Sequence, residues 1–245
     1  MRKFFLYFKY FIKRILQNPL TGYLVSFIIM LSLRKLSDSK KKNAVKVIVF
    51  SHFRWPEGIK VLGSDSDIII YKIPDVIFNY ITSFFSSKTL LKYYLRGESY
   101  LNKENKKEKI IFSKPISLAY FKNKDQDVLK ERIRQEKFVK IIANNFSLFY
   151  KINCAVSCGI NYNSEFSWVS GFHNGGIPFV ILYKEMSELN KVSLKSRFVN
   201  LKKVNYKYLG TGIGVANKTI KNELEKSKIV PNIDIENIGL LRFDN

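Results

Sequence analysis

Short apolar runs of strand length alternate with longer stretches of helical periodicity from residue 45 onward. Runs at 45–50, 68–73, 109–112, 152–157, 209–215 and 235–241 are rich in β-branched and aromatic residues and bounded by turn formers, the pattern of strands. The most continuous run lies between Gly175 and Glu185, where a Gly-Gly turn feeds Ile-Pro-Phe-Val-Ile-Leu-Tyr and stops at Lys184 and Glu185. It reads as a central strand buried on both faces. Helical spacing is expected at 74–94, 125–150, 187–205 and 218–226, and Asn217 is placed to cap the last of these. Polar stretches at 51–58, 96–109 and 159–171 read as loops. Strands alternating with crossover-length helices predict an α/β fold, a Rossmann-like, doubly wound, mostly parallel sheet.

Residues 1–43 break this rhythm. Phe4, Phe5, Phe8, Phe11, Ile12, Ile15 and Leu16 repeat at helical spacing, with Arg2, Lys3, Lys9, Lys13 and Arg14 on the remaining face. Asn18-Pro19 interrupts this helix, and a second apolar run, 20–33, is too short for a comfortable membrane span of about 20 residues. A signal peptide would need a small-residue cleavage site, whereas the run ends in Ser32-Leu33-Arg34-Lys35. Two readings remain: both helices pack on the domain, or a basic amphipathic helix lies in an anionic membrane surface, the reading the residues favour. A lysine-rich connector at 36–43 then separates this membrane-associating segment from a folded domain at 44–245.

Composition changes the picture in one respect. The chain has 245 residues, of which 46% are hydrophobic, enough for a full core, and 42 Lys and Arg against 20 Asp and Glu leave a net charge of +22. That favours anionic partners, although a chain generally rich in Lys, Asn and Ile carries such charge for compositional reasons. No nucleic-acid motif accompanies it, so nucleic acid is not the expected partner. Cys154 and Cys158 would face one side of a strand about 13 Å apart, too far to bridge, which suggests buried thiols in a reducing compartment. A zinc site from these two with His52 and His173 matches no standard spacing, and no metal is expected.

Several stretches carry candidate chemistry. Ser51 to Gly58 places His52, Arg54, Trp55 and Glu57 after the first strand, where a parallel sheet presents its ligand crevice; a surface turn with Trp55 packed on the sheet is the alternative. Asp65-Ser66-Asp67 has the D-x-D form of a metal-diphosphate site, but it precedes its strand, so a turn or cap is expected. Gly210, Gly212 and Gly214 fall inside a strand and do not open a helix, unlike a dinucleotide fingerprint.

From Gly176 onward the order of features resembles the amino-terminal half of bacterial surface-polysaccharide glycosyltransferases of the two-domain GT-B fold. The matching pieces are Gly176-Ile177-Pro178-Phe179-Val180 leading to Tyr183-Lys184-Glu185, then Gly214-Val215-Ala216-Asn217 before a short helix, then Ile238-Gly239-Leu240-Leu241-Arg242-Phe243-Asp244. The resemblance covers about the last third of the chain. It implies a GT-B amino-terminal, acceptor-side domain in capsule or lipopolysaccharide synthesis that ends where the donor-binding domain would begin, and so a truncated or split transferase, active only with that second domain. Glu185 is then the first candidate base and His52 the second, with Lys184, Arg54, Glu57, His173 and Asn174 as candidate substrate contacts. Glu185 also fits a charge placed at a helix start, and Arg242 and Asp244 fit a structural pair at the domain junction. The expected partners are an anionic membrane surface, a saccharide or lipid-linked saccharide acceptor and a separate donor-binding chain. A nucleotide sugar would be substrate, so no cofactor is expected. The expected location is cytoplasmic, peripheral on the inner membrane face. A non-catalytic, membrane-associated accessory protein of envelope assembly is the alternative.

Overall fold

The computed structural model describes residues 11–12, 15, 18–37, 41, 43–50, 55–75, 77–78, 81, 126–160, 165–183, 195, 198–199, 201–202, 206–230 and 233–239. In chain order the elements are α1 (Pro19–Leu31), β1 (Arg34–Lys35), β2 (Val45–Val49), α2 (Pro56–Ser64), β3 (Ile68–Lys72), α3 (Gln126–Asn145) continued by a π-helical turn (Phe146–Tyr150), β4 (Cys154–Ser157), α4 (Phe166–Asn174), β5 (Phe179–Leu182), β6 (Gly212–Val215), α5 (Lys218–Ser227) and β7 (Asp234–Asn237). The strands form one sheet in the order β1-β3-β2-β4-β5-β6-β7. All neighbours are parallel except the edge pair, where Arg34 and Lys35 run antiparallel to Lys72 and Tyr71. This is a mostly parallel α/β sheet flanked by helices, as the strand–helix alternation predicts. The predicted strand at 109–112 and the charged loop at 96–109 lie outside the described residues.

The alternation of side chains divides the interior in two. Ile48, Phe50, Ala155, Phe179, Ile181, Ile213 and Val215 face a large core shared with α3, α4 and α5. Val47, Val49, Val156 and Cys158 face the other way, into a small cluster closed by Trp55 beside α2. β2 leads to β3 on one side, while β4, β5, β6 and β7 run off on the other. A right-handed connection that reverses direction must change faces, which is why α2 lies on one face and α4 and α5 on the other. The sequence places the sheet's centre at the Gly175–Glu185 run. The middle strand is instead β4, and β5 is its neighbour, with Phe179 and Ile181 buried and Val180 and Leu182 half-buried.

Three helix boundaries follow local chemistry. Asn18 Oδ1 accepts from the Leu20 N–H at 3.0 Å and Pro19 opens α1, so the predicted break is the start of the next helix. Asn217 Oδ1 accepts from the Ile220 N–H at 2.9 Å, the expected cap of α5. The predicted 125–150 helix is α-helical to Asn145 and widens to π winding over Phe146–Tyr150, closing on Lys151 in the left-handed conformation. Two elements depart from expectation. The polar 51–58 stretch becomes helical from Pro56, and the expected loop 159–171 becomes helix from Phe166.

α3 and α4 touch more closely than side chains normally permit. A Cβ on Gly171 would stand 2.6 Å from Val139 Cγ1, and one on Gly175 would stand 2.5 Å from Ala143 Cβ. α1 packs on the same helix: its Ser26 and Asn145 of α3 are hydrogen-bonded, and Asn145 Nδ2 also donates to the Tyr23 carbonyl at 3.2 Å. Among the described residues, no helix is long and apolar enough to cross a membrane.

Gly175→Ala should therefore lower unfolding stability by about 1–3 kcal/mol, since neither Ala143 nor the carbonyls of Gly171 and Lys140 can swing aside. Gly212→Ala, whose Cβ would meet nothing nearer than 3.7 Å, should change it by roughly 0.5 kcal/mol or less. Urea denaturation of the two variants checks this, and equal losses would refute the packing account.

Candidate functional site

An open parallel sheet offers its ligand crevice at the carboxyl edge where strand order reverses. Here that point lies between β2 and β4. β2 ends at Val49 and Phe50, whose N–H donates to the Val156 carbonyl at 2.8 Å. β4 ends at Ser157 and Cys158. Trp55 is buried on one side of the reversal, its indole N–H donating to the Phe50 carbonyl at 3.2 Å, and its ring occupies the space a Cβ at Gly58 would need. Trp168 is buried on the other side, with its ring centroid 5.5 Å from that of Phe50. The indole N–H of Trp168 has no hydrogen-bond partner among the described residues.

Two helices start at this edge, and a glutamate stands at each start. Glu57 is half-buried in the first turn of α2. Glu165 occupies the N-cap position of α4 and is fully buried, and Ser157 Oγ donates to its Oε2 at 2.5 Å. A carboxylate at either position is stabilised by the positive end of the helix dipole. Beside Glu165, Tyr206 donates its hydroxyl to the Ile160 carbonyl, and Tyr208 donates to the Phe179 carbonyl at 2.9 Å. Burial pushes the Tyr208 phenol well above its ordinary range, and Tyr206 and the charge of Glu165 add to the shift. The space left between Gly159, Glu165, Phe166, Val169, Tyr206 and Tyr208 is about 10 Å³, room for about one water. The Arg132 guanidinium covers the outer face of Phe166, 3.7 Å from the ring centroid.

This arrangement ties the end of β4 to the start of α4 and places a buried carboxylate at that helix terminus. As bounded by the described residues, the space beside Glu165 is too small for a sugar.

The residues expected from sequence are distributed unevenly. Glu57 lies at the carboxyl edge. His173 and Asn174 lie at the opposite edge, because α4 carries them about 13 Å along its axis away from Glu165. There His173 Nδ1 is 3.1 Å from Thr211 Oγ1, and Asn174 Nδ2 donates to Glu136 Oε1 at 2.8 Å. The expected loop at 159–171 would have kept these residues near the crevice; the helix does not. His52, Arg54, Lys184, Glu185, Arg242 and Asp244 lie outside the described residues, although Tyr183, hydrogen-bonded to the Gly214 carbonyl at 2.8 Å, brings the chain to Lys184 from the carboxyl end of β5. Asp65-Ser66-Asp67 forms the expected turn: the Asp67 N–H donates to Asp65 Oδ1 at 2.8 Å, and the hydrogen bonds and charge of Lys41, with Ser66, lower the Asp67 carboxyl below its ordinary value. Gly212 and Gly214 lie within β6, and Gly210 and Gly214 leave room for Tyr208 and Ile238. Sequence alone does not single out the Ser157–Glu165 pair. The available signal is an acidic residue immediately before Phe166-Ser167-Trp168.

Cys154 and Cys158 form no disulfide and pack in the small cluster, and burial pushes the Cys154 thiol up to about 11. No protein-family model, curated protein or solved structure matches the chain.

These environments make two predictions. Ser157→Ala removes one partner of a buried pair and should destabilise the fold by about 1–3 kcal/mol, read from chemical denaturation. Between pH 9 and about 11 the unfolded chain releases the Cys154 proton while the folded chain keeps it, so stability should fall across that window. Cys154→Ser should flatten the decline, and identical slopes for the two proteins would rule out this thiol as its source.

Proposed function

We propose that this chain is an acceptor-side, GT-B-type glycosyltransferase-like domain of cell-envelope polysaccharide synthesis, held at an anionic membrane surface on the cytoplasmic side and acting with a donor-binding domain. The observation that carries the reading is Glu57, half-buried in the first turn of α2 at the strand-order reversal, with a second carboxylate, Glu165, buried at the start of α4. A nucleotide diphosphate is held by bare helix N-termini and glycine turns. Carboxylates in those places repel phosphate, and the partly exposed Glu57 can accept hydrogen bonds from hydroxyl groups, so the crevice suits a polyhydroxyl acceptor better than a nucleotide. Glu185, two residues beyond Tyr183 at the end of β5, is the proposed base, with His52 as the second candidate and Lys184 and Arg54 as contacts to a phosphate-bearing acceptor.

A second reading, a non-catalytic accessory protein at the same membrane, is favoured by one feature. The Ser157–Glu165 pair closes the β4 end of the crevice with the protein's own side chains.

Isothermal titration with envelope oligosaccharides and with nucleotide sugars tests the proposal. The saccharide should bind, the nucleotide sugar should bind more weakly, and Glu57→Gln should weaken the saccharide about tenfold by loss of a charged hydrogen bond. Preference for the nucleotide sugar would overturn the acceptor-side reading. Transfer that survives Glu185→Ala, once a donor domain is supplied, would rule out Glu185 as the base, and no transfer by the unaltered chain with that domain would favour the accessory role.

A further inference from the structure

We propose that the outward face of α1 and the π-helical turn at Phe146–Tyr150 form one surface that seats in the plane of an anionic lipid bilayer. The inference rests on the membrane association proposed above and names the side chains that perform it.

α1 is inside out. Its buried positions are Gly22, Ser26, Ile29 and Met30, and Ser26 is bonded to Asn145 of α3. Its outward positions are Leu20, Leu24, Phe27, Ile28 and Leu31, which are between 42% and 82% exposed. A helix on the surface of a water-soluble domain turns its large apolar residues inward and its polar ones outward. Here Gly22 and Ser26 share the inward face with Ile29 and Met30, and five further large apolar residues are left outside. The stripe recurs at i, i+4, i+7, i+8 and i+11, so it is one continuous face.

A second element extends that face. The change from α to π winding after Asn145 turns Leu148 and Phe149 outward, 68% and 63% exposed, and Phe149 meets Phe27 of α1 edge-on with centroids 6.1 Å apart. Two segments more than a hundred residues apart in sequence thus contribute to a single apolar patch.

The occupant follows from length and charge. α1 has 13 residues and spans about 20 Å, short of the roughly 30 Å hydrocarbon core, so it can lie in a bilayer surface but cannot cross one. The rim is basic. Arg34 and Lys35, three and four residues beyond α1, are exposed, and so is Lys151 at the end of the π turn. They share a flank: Tyr71 pairs with Lys35 across the sheet edge and packs edge-on against Tyr150, 6.0 Å between centroids. An apolar face with a cationic rim complements anionic headgroups over acyl chains. A second copy of the chain would bring together two proteins each of net charge +22, whereas an anionic surface offsets that charge.

The test uses the full chain and sedimentation with vesicles of equal parts phosphatidylcholine and phosphatidylglycerol. Leu148→Ser with Phe149→Ser should lower vesicle partitioning roughly tenfold or more, as should Leu24→Ser with Ile28→Ser. The thermal transition should be kept, because these side chains are exposed. The indole of a Phe149→Trp variant should be quenched by bromine-labelled acyl chains. If the wild type binds vesicles and the Leu148/Phe149 variant binds equally, the two-element surface is wrong and the membrane association stands. If the wild type does not sediment with anionic vesicles, both fail. Protection of the introduced indole from aqueous quencher by concentration-dependent self-association without lipid would overturn the proposal in favour of a second copy.

Discussion

The close approach of α3 and α4 at Gly171 and Gly175 governs the arrangement of the larger face of the molecule. Only hydrogen at these two positions lets the helix backbones come near enough for Val139 and Ala143 to seat against α4. α4 is thereby pinned between the sheet and α3, and its start is set at the end of β4. That placement buries Glu165 against Ser157. It also sets the outer surface of α3 on which α1 lies. The crevice chemistry and the outward helix both depend on one glycine-lined contact between neighbouring helices.

Glu165 shows how local electrostatics can select among functions open to one architecture. The same sheet order with a neutral residue at the start of α4 would leave the positive end of the helix dipole open to an anion at the strand-order reversal. A buried carboxylate there opposes the dipole, and its bond to Ser157 ties the start of α4 to the end of β4. Glu57 repeats the sign of charge at α2. The net charge of the chain as a whole and the carboxylates at these two helix starts are thus opposite in sign.

Much of the sheet is legible in the sequence because strand burial follows simple alternation. Val47 and Val49 part from Ile48 and Phe50 as a period of two requires, and the expected runs match β2, β3, β4, β6 and β7 to within a few residues at their ends. The helices at 126–145 and 218–227 are legible from periodicity and from Asn217. α4 is not, because Ser167, Trp168, Ser170, Gly171, His173 and Asn174 carry little intrinsic helix preference. Its stability comes from packing that unites residues far apart in sequence. α2 is obscured in the same way by a start rich in Trp, Pro and Gly. Strand order is beyond local pattern altogether, so the run that is most apolar in sequence, β5, reads as the centre that β4 in fact occupies.

The edge strand has a consequence for the aggregation behaviour of the chain. Arg34 and Lys35 pair with β3, the Leu36 N–H donates to the Ile70 carbonyl at 2.8 Å, and Ser37 Oγ accepts from the Ile70 N–H at 2.9 Å. Together they cover hydrogen-bonding groups that β3 would otherwise offer to any passing strand. The residues that follow the apolar helix are therefore the seam of the sheet. Cutting the chain back to the folded domain to shed its greasy start would expose that seam and exchange one sticky surface for another.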